Sequence, residues 1–323
     1  MILVVGGAGY IGSHLVKELI KTKEVVVLDN LSTGFRSLVD NKALFVEGDI
    51  GNVEVLNRIF TEYKIEAVMH FAANSLVGES VKNPYKYYQN NVSSTLNLLN
   101  TMIKYNVTNF IFSSTAATYG IPDVDIINES TSTNPINPYG KSKLMVEEIL
   151  EDFSNAYSLN YVILRYFNAA GAHDSGDIGE NHNPETHLIP IILRHLLGET
   201  ESISVFGTDY NTEDGSCIRD YIHVTDLSSA HILALNALLD KKVERSTYNL
   251  GNGLGYSVKE VIKTCENVTK RKANVIETER RLGDPARLVA SSTKIFDELG
   301  WKARYDLESI ITSAWKWHSQ NKL

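Results

Sequence analysis

Residues 1–14 read MILVVGGAGYIGSH. Four apolar residues, Ile2 to Val5, break into glycines, and an apolar helical pattern follows from Tyr10. Two β-branched valines close the run, which suits a strand, and the glycines permit a tight turn. Gly6, Gly9 and Gly12 stand three residues apart, and Gly7 adds a GxGxxG. Between a strand and a helix, that spacing brings backbone N–H groups to a pyrophosphate at the helix N-terminus. Asp29 ends the next apolar run, VVVL (25–28), seventeen residues beyond Gly12. A carboxylate there accepts from a ribose 2′-hydroxyl and repels a 2′-phosphate, which favours NAD over NADP. Asp49, in VEGD, ends a third run. Its two readings, an adenine amino contact or a helix cap, both stand at this point.

Outward from the loop, short apolar runs recur at LFVE (44–47), AVMHF (67–71), FIFSS (110–114) and VILRYF (162–167). Amphipathic stretches separate them. Tyr88, Val92, Leu96, Leu99 and Ile103 keep helical spacing in 86–106, and Val146, Ile149, Leu150, Phe153 and Tyr157 do so in 140–157. Strand–helix alternation predicts an α/β fold, a doubly wound parallel Rossmann-type sheet. Segment 171–187 is polar and loop-like, ISVF (203–206) is a further strand, YIHVTDL and TYNLGN look sheet-like, and the tail from Tyr256 alternates on a smaller scale. The expected division is a dinucleotide domain of 1–170 plus about 218–250, and a smaller α/β substrate domain of about 171–217 plus 251–323.

The bulk numbers narrow the function. With 323 residues, 43% hydrophobic and 22% charged, the chain can bury a substantial core. A net charge of −8 argues against nucleic acid as the main partner. Two cysteines, Cys217 and Cys265, give no disulfide framework and no CxxC metal site, so no metal is expected and a reducing cytoplasm is. The N-terminus lacks the pattern of a signal peptide, and no apolar run approaches the roughly 18 residues of a membrane span.

NPYGKSK (137–143) carries the chemistry. Tyr139 and Lys143 are four apart behind Pro138, on one helical face. A free phenol titrates near pH 10 and is a poor base at neutrality. A cation about 6 Å away, at an effective dielectric of about 20, is worth about two pK units, and an oxidised nicotinamide would add another charge. The pair therefore makes sense beside NAD. FIFSSTAATYG (110–120) ends a central strand, where open α/β sheets bind ligands. Thr115 is the candidate to hold a substrate hydroxyl, with Ser113 and Ser114 as rivals.

GGAGYIGSH, DNLSTG, FAANSLVGES, YYQNNV, SSTAATYG, NPYGKSK, LRYFNAAGA, VFGTDYNTEDGSCIRDYIHVTDL, YNLGNG, RRLGDPARL and a late LGW follow one another from about residue 1 to about residue 317. Together they resemble the extended short-chain dehydrogenase/reductase family. The resemblance implies inversion at C4 of a UDP-hexose, glucose to galactose and back, by transient oxidation with a resident NAD. Tyr139 would take the proton of the 4-hydroxyl, Lys143 would bond the nicotinamide ribose and keep Tyr139 anionic, and Thr115 would bond the 4-oxygen. By position in the motifs, NAD would be surrounded by Gly6, Gly9, Tyr10, Ile11, Gly12, Asp29, Asn30, Leu31, Ser32, Thr33, Gly34, Asp49, Ile50, Phe71, Ala72, Ala73, Asn74, Ser75, Asn90 and Phe167. The nucleotide sugar would meet Asn168, His187, Leu188, Ser204, Val205, Phe206, Arg219, the stretch 281–284 with Arg281 and Asp284, and Leu288. Arginines suit a pyrophosphate because their donors are forked. His187 is given a substrate contact and no acid–base work.

The resemblance also implies a homodimer; the apolar stripes of 86–106 and 140–157 suit either a bundle with a second copy or, more commonly, the core. Departures from the family pattern matter as well. Ser75 replaces a frequent lysine, and Leu288 replaces a bulky tyrosine of some relatives, which leaves room for an N-acetyl group. A dehydratase of the same fold needs an acid and a base after the threonine. Ala116 and Ala117 stand there instead, and neither can move a proton.

Overall fold

The computed structural model describes residues 1–281 and 283–320. Its main element is a seven-stranded sheet. The strands are β1 (Ile2–Val5), β2 (Val25–Asp29), β3 (Leu44–Glu47), β4 (Ala67–His70), β5 (Asn109–Thr115), β6 (Asn160–Tyr166) and β7 (Arg245–Leu250), in the order β7-β6-β5-β4-β1-β2-β3. The pairs β1–β2, β2–β3, β1–β4 and β4–β5 are parallel. Strand order therefore reverses between β1 and β4, and ligands bind at the carboxyl ends around such a reversal.

Two compact units follow from the chain's contacts. One comprises Met1–Gly120, Ser132–Arg165 and Ser228–Tyr248; the other comprises Ile121–Thr131, Tyr166–Leu227 and Asn249–Leu323. In the first, Leu3, Val26, Val68, Phe110 and Ile163 of the sheet are buried against Leu56, Ile59, Leu98, Met102, Val146 and Leu150. Those partners come from the helices Val53–Glu62, Ser94–Lys104 and Pro138–Tyr157. Strands buried on both faces read as continuous apolar runs, which is why ILVV and VVVL lack alternation. In the second unit, the helices Leu188–Leu197, Val258–Thr269 and Leu307–Gln320 bury Ile192, Leu193, Val261, Cys265, Ile310 and Ile311 together.

Three sequence expectations need correction. The stretch YIHVTDL is only half strand: Tyr221–His223 is extended, and a helix runs from Val224 to Leu239. Phe71 lies just past the end of β4. The stretch 86–106 is not one regular helix, because Tyr88–Ser93 forms a π-turn between Pro84–Tyr87 and Ser94–Lys104. Each i→i+5 turn takes up an extra residue and rotates the following face. Leu98, Leu99 and Met102 consequently face the core, and Leu96 is exposed.

The second unit hangs on Asp220, which is fully buried. Its carboxylate accepts from the backbone N–H groups of Asn252 (2.7 Å), Gly253 (2.9 Å) and Ala290 (3.0 Å). Removing it orphans three donors, each costing about 1–3 kcal/mol if left dry. Asp220→Ala is expected to lose about 3 kcal/mol or more, seen as a lower urea midpoint. A midpoint within experimental error of the wild type would reject this role.

Candidate active site

The glycine loop is built to let backbone approach something else. Gly6 adopts φ +80°, and a Cβ there would lie 2.4 Å from the Ala72 nitrogen. At Gly12 a Cβ would lie 2.2 Å from the Gly6 carbonyl oxygen, so the helix Tyr10–Leu19 packs directly on the turn. Gly9, its N-cap, offers no side-chain hydrogen bond to the first turn. Beyond Gly9 a Cβ would touch only the Gly6 carbonyl, at 3.4 Å. An open, uncapped helix start is a ready anion site. The Asp29 carboxylate accepts from the N–H groups of Ala8 (2.9 Å) and Leu31 (2.8 Å), tying the loop to the DNLSTG turn. Asn30 donates to Asp49 (2.6 Å), and Asp49 also accepts from Gly51 N–H (2.7 Å). These residues form one rim at the carboxyl ends of β1 to β3, and the cradle fits a dinucleotide pyrophosphate.

Tyr139 begins the helix Pro138–Tyr157, whose N-cap Asn137 accepts from Gly140 N–H (2.8 Å). Proline at the first helical position and asparagine before it fix where the helix starts. Burial pushes the Tyr139 phenol up, and a hydrogen bond with the Thr115 side chain works against that. Thr115 ends β5 and accepts from Ala117 N–H (3.1 Å). Ala116 and Ala117 begin a short helical turn immediately after it.

Lys143 is 3% exposed, and its ammonium donates to the Ser113 carbonyl (2.8 Å) and lies 4.8 Å from the Phe112 ring centre. Burial lowers Lys143 to about 7, against the raising effect of Glu147. The sequence placed the cation beside the phenol to lower it. In this state burial costs both charges more than their neighbours return, and the ammonium points at the strand. Of the rival hydroxyls, Ser114 is turned away to donate to Glu147.

Two features here escaped the sequence. Glu147, one turn past Lys143, forms a buried pair with Arg165, and Arg165 also donates to the Tyr119 hydroxyl (2.9 Å). An acid at a core-facing helix position was the available signal. Asn91, in the π-turn, donates to the Asn74 carbonyl (3.0 Å) and Ser142 Oγ (2.9 Å), and Ser142 donates to the Tyr139 carbonyl (2.7 Å). Asn90, expected beside the cofactor, donates to Asn91 (3.0 Å).

In the second unit, Leu288 and Arg219 are paired residues of adjacent short strands, and Arg219 bonds Asp284. The Arg281 guanidinium lies 3.8 Å from the Phe206 ring centre. Leu282 lies outside the described residues. Ser204 is exposed, whereas the Val205 side chain is buried in the core, leaving only its backbone for a ligand. Asn168 donates to the Asp220 carbonyl (2.9 Å) and lines a small pocket with Tyr221, Leu188, His187 and Glu180.

The polar loop holds a cluster that the sequence reading passed over. His187 Nδ1 lies 2.8 Å from Glu180 and 3.3 Å from Glu185, and His182 is 3.3 Å from Glu180. Burial would lower both imidazoles, but the two carboxylates outweigh it and hold His182 up to about 9 and His187 up to about 10. The expectation of no metal site was drawn from cysteines, and these residues bear on it below.

Comparison with known proteins adds four findings. The model of the NAD dependent epimerase/dehydratase family matches residues 2–251. A UDP-glucose 4-epimerase of Halalkalibacterium halodurans is 52% identical over 322 residues, covering 99% of this chain and 96% of that protein. The structure of UDP-glucose 4-epimerase from Brucella ovis in complex with NAD superposes with a TM-score of 0.94 at 47% identity, covering 97% of each chain. That of the UDP-Glc/GlcNAc 4-epimerase from Campylobacter jejuni gives 0.87 at 44% identity, covering 99% of each.

Proposed function

The chain belongs to the NAD dependent epimerase/dehydratase family, and from that premise we propose that it interconverts UDP-glucose and UDP-galactose by NAD-dependent inversion at C4, a step of galactose metabolism. The observation that carries this is Thr115 at the end of β5, close enough to act on the Tyr139 phenol, with Ala116 and Ala117 next in the chain. NAD, when bound, supplies reversible hydride acceptance at the sugar C4. Tyr139 takes the proton of the 4-hydroxyl and later returns it. Thr115 holds the 4-oxygen. With the cofactor bound, Lys143 would turn from the Ser113 carbonyl to the cofactor ribose and bring its charge toward the phenol. With alanines after Thr115 there is no acid or base to eliminate water, so return of the hydride to C4 is what remains.

The glycine loop, Asp29 and Asp49 of the first unit are assigned to NAD. Arg219 and Arg281 of the second are assigned to the UDP pyrophosphate, and Asn168 and Leu188 to the rest of the nucleotide sugar. The purified protein, given UDP-galactose and no added cofactor, is expected to form UDP-glucose. A 4-keto-6-deoxy sugar as product would overturn the assignment.

Leu288 favours a second substrate class. A leucine beside Arg219 is smaller than a tyrosine and leaves space at the sugar 2-position. UDP-N-acetylglucosamine is therefore expected to be epimerised. Leu288→Tyr should reduce kcat/KM for it by roughly tenfold or more, the scale of a filled apolar pocket, with little change for UDP-galactose. Equal losses on both substrates would remove Leu288 from this role.

A homodimer is proposed through the helices flanking the phenol. Leu96, Met145 and Tyr157 are exposed on them and offer apolar side chains to a second copy. No helix among the described residues is long and apolar enough to cross a membrane, and a cytoplasmic location is proposed.

A further inference from the structure

The segment 180–187, ENHNPETH, directs four side chains at one point. Glu180, His182, Glu185 and His187 each offer one ligand atom, and these atoms lie within 4.8 Å of one another. Glu180 is 3% exposed. Its Oε1, and Oε2 of Glu185, are sealed from solvent and accept no hydrogen bond, although imidazole nitrogens lie 2.8–3.7 Å away. A plain ion pair would aim N–H at oxygen. Here buried acceptors converge without that geometry, and a single cation held by all four side chains would satisfy both carboxylates at once.

We propose that Glu180, His182, Glu185 and His187 form a four-ligand site for a divalent cation of the zinc class. Tetrahedral zinc with nitrogen and oxygen ligands about 2.0–2.2 Å away separates those ligands by about 3.3–3.5 Å. The nitrogen–oxygen approaches to Glu180 Oε1, 2.8 and 3.3 Å, are close to that value, and the four ligand atoms lie within 4.8 Å, so a small shift of the loop side chains on binding is required. Two imidazoles select zinc-like ions over magnesium or calcium, and two carboxylates balance the charge.

Four protein ligands fill the coordination sphere, so the site is structural. Its surroundings hold the ligands in place. Thr186 and His187 N–H groups donate to Glu185 (2.8 and 2.9 Å), and Trp317 donates to the Glu180 carbonyl (3.1 Å). Gly179 packs so closely on Trp317 that a Cβ would lie 2.3 Å from its Cγ. Glu180 and His187 also line the pocket containing Asn168 and Leu188, so a bound ion would fix one wall of it. This assignment is independent of the proposed activity.

The test is a titration of the full chain, freed of metal with a chelator, with Zn²⁺ alone and no nucleotide sugar. One equivalent should bind and raise Tm. Co²⁺ in its place should show the intense visible absorption of four-coordinate cobalt. Glu180→Gln and His182→Gln should each weaken Zn²⁺ binding by at least about tenfold, given that losing even an outer-shell partner costs 10–100-fold. Either variant suffices if the other does not fold. Absence of stoichiometric binding, equal affinity in the variants, or equal binding of Mg²⁺ would each overturn the proposal.

Discussion

Tyr139→Phe lowers turnover of UDP-galactose by about 10²–10⁴-fold, the range for loss of a positioned general base. The change deletes one oxygen at a partly buried position and leaves the ring that packs there. No neighbour replaces it. Thr115 is an alcohol with no base behind it, and Ser114 is committed to Glu147. His70 is buried, bonded to Thr95 (2.9 Å), and pulled down to about 3 by burial and by the Lys143 charge, so it is too weak a base to take the proton. The loss is expected in kcat, with KM for UDP-galactose changed little, because the nucleotide is held elsewhere. Bound NAD, read from its absorbance, should be unchanged. Activity within tenfold of the wild type would show that another group moves the proton.

What the sequence revealed was what is local. The strand–glycine–helix order and the Tyr139–Lys143 spacing each lie within a dozen residues and obey a fixed period or turn chemistry. What it hid depends on neighbours brought in by the sheet. Glu147 meets Arg165 because the helix Pro138–Tyr157 leads into β6, and nothing in either residue's surroundings names the other. The π-turn has no side-chain signature, so Leu96 was read in one unbroken helical stripe with Leu99 and Ile103, and Asn91 was overlooked. The cluster at 180–187 is a different case. Its four residues are adjacent in sequence, but loop ligands follow no period, and attention to cysteine left histidine and glutamate unread as a set.

Lys143→Met gives the second large effect, and its sign separates burial from chemistry. A lysine lowered by burial to about 7, against about 10.4 when unfolded, binds fewer protons folded than unfolded between those values. Stability conferred at this position therefore rises with pH across about 7–10 and is poorest below 7, where the folded chain must keep a buried ammonium. His182 and His187 are shifted the opposite way, so the wild-type profile alone mixes the two. The difference between variant and wild type isolates Lys143.

Methionine of similar length should be favoured by a few kcal/mol at pH 6 in the cofactor-free protein, less the cost of losing the hydrogen bond from Lys143 to the Ser113 carbonyl. That advantage should shrink steadily toward pH 10. Turnover should move the other way, falling by about 10²-fold or more, since the cation that steadies the phenolate is gone. Urea midpoints of both proteins from pH 6 to 10, with UDP-galactose turnover alongside, decide it. A stability difference that does not change with pH would mean that Lys143 carries the same charge folded and unfolded. The burial argument for the whole Tyr139–Lys143 pair would then fail.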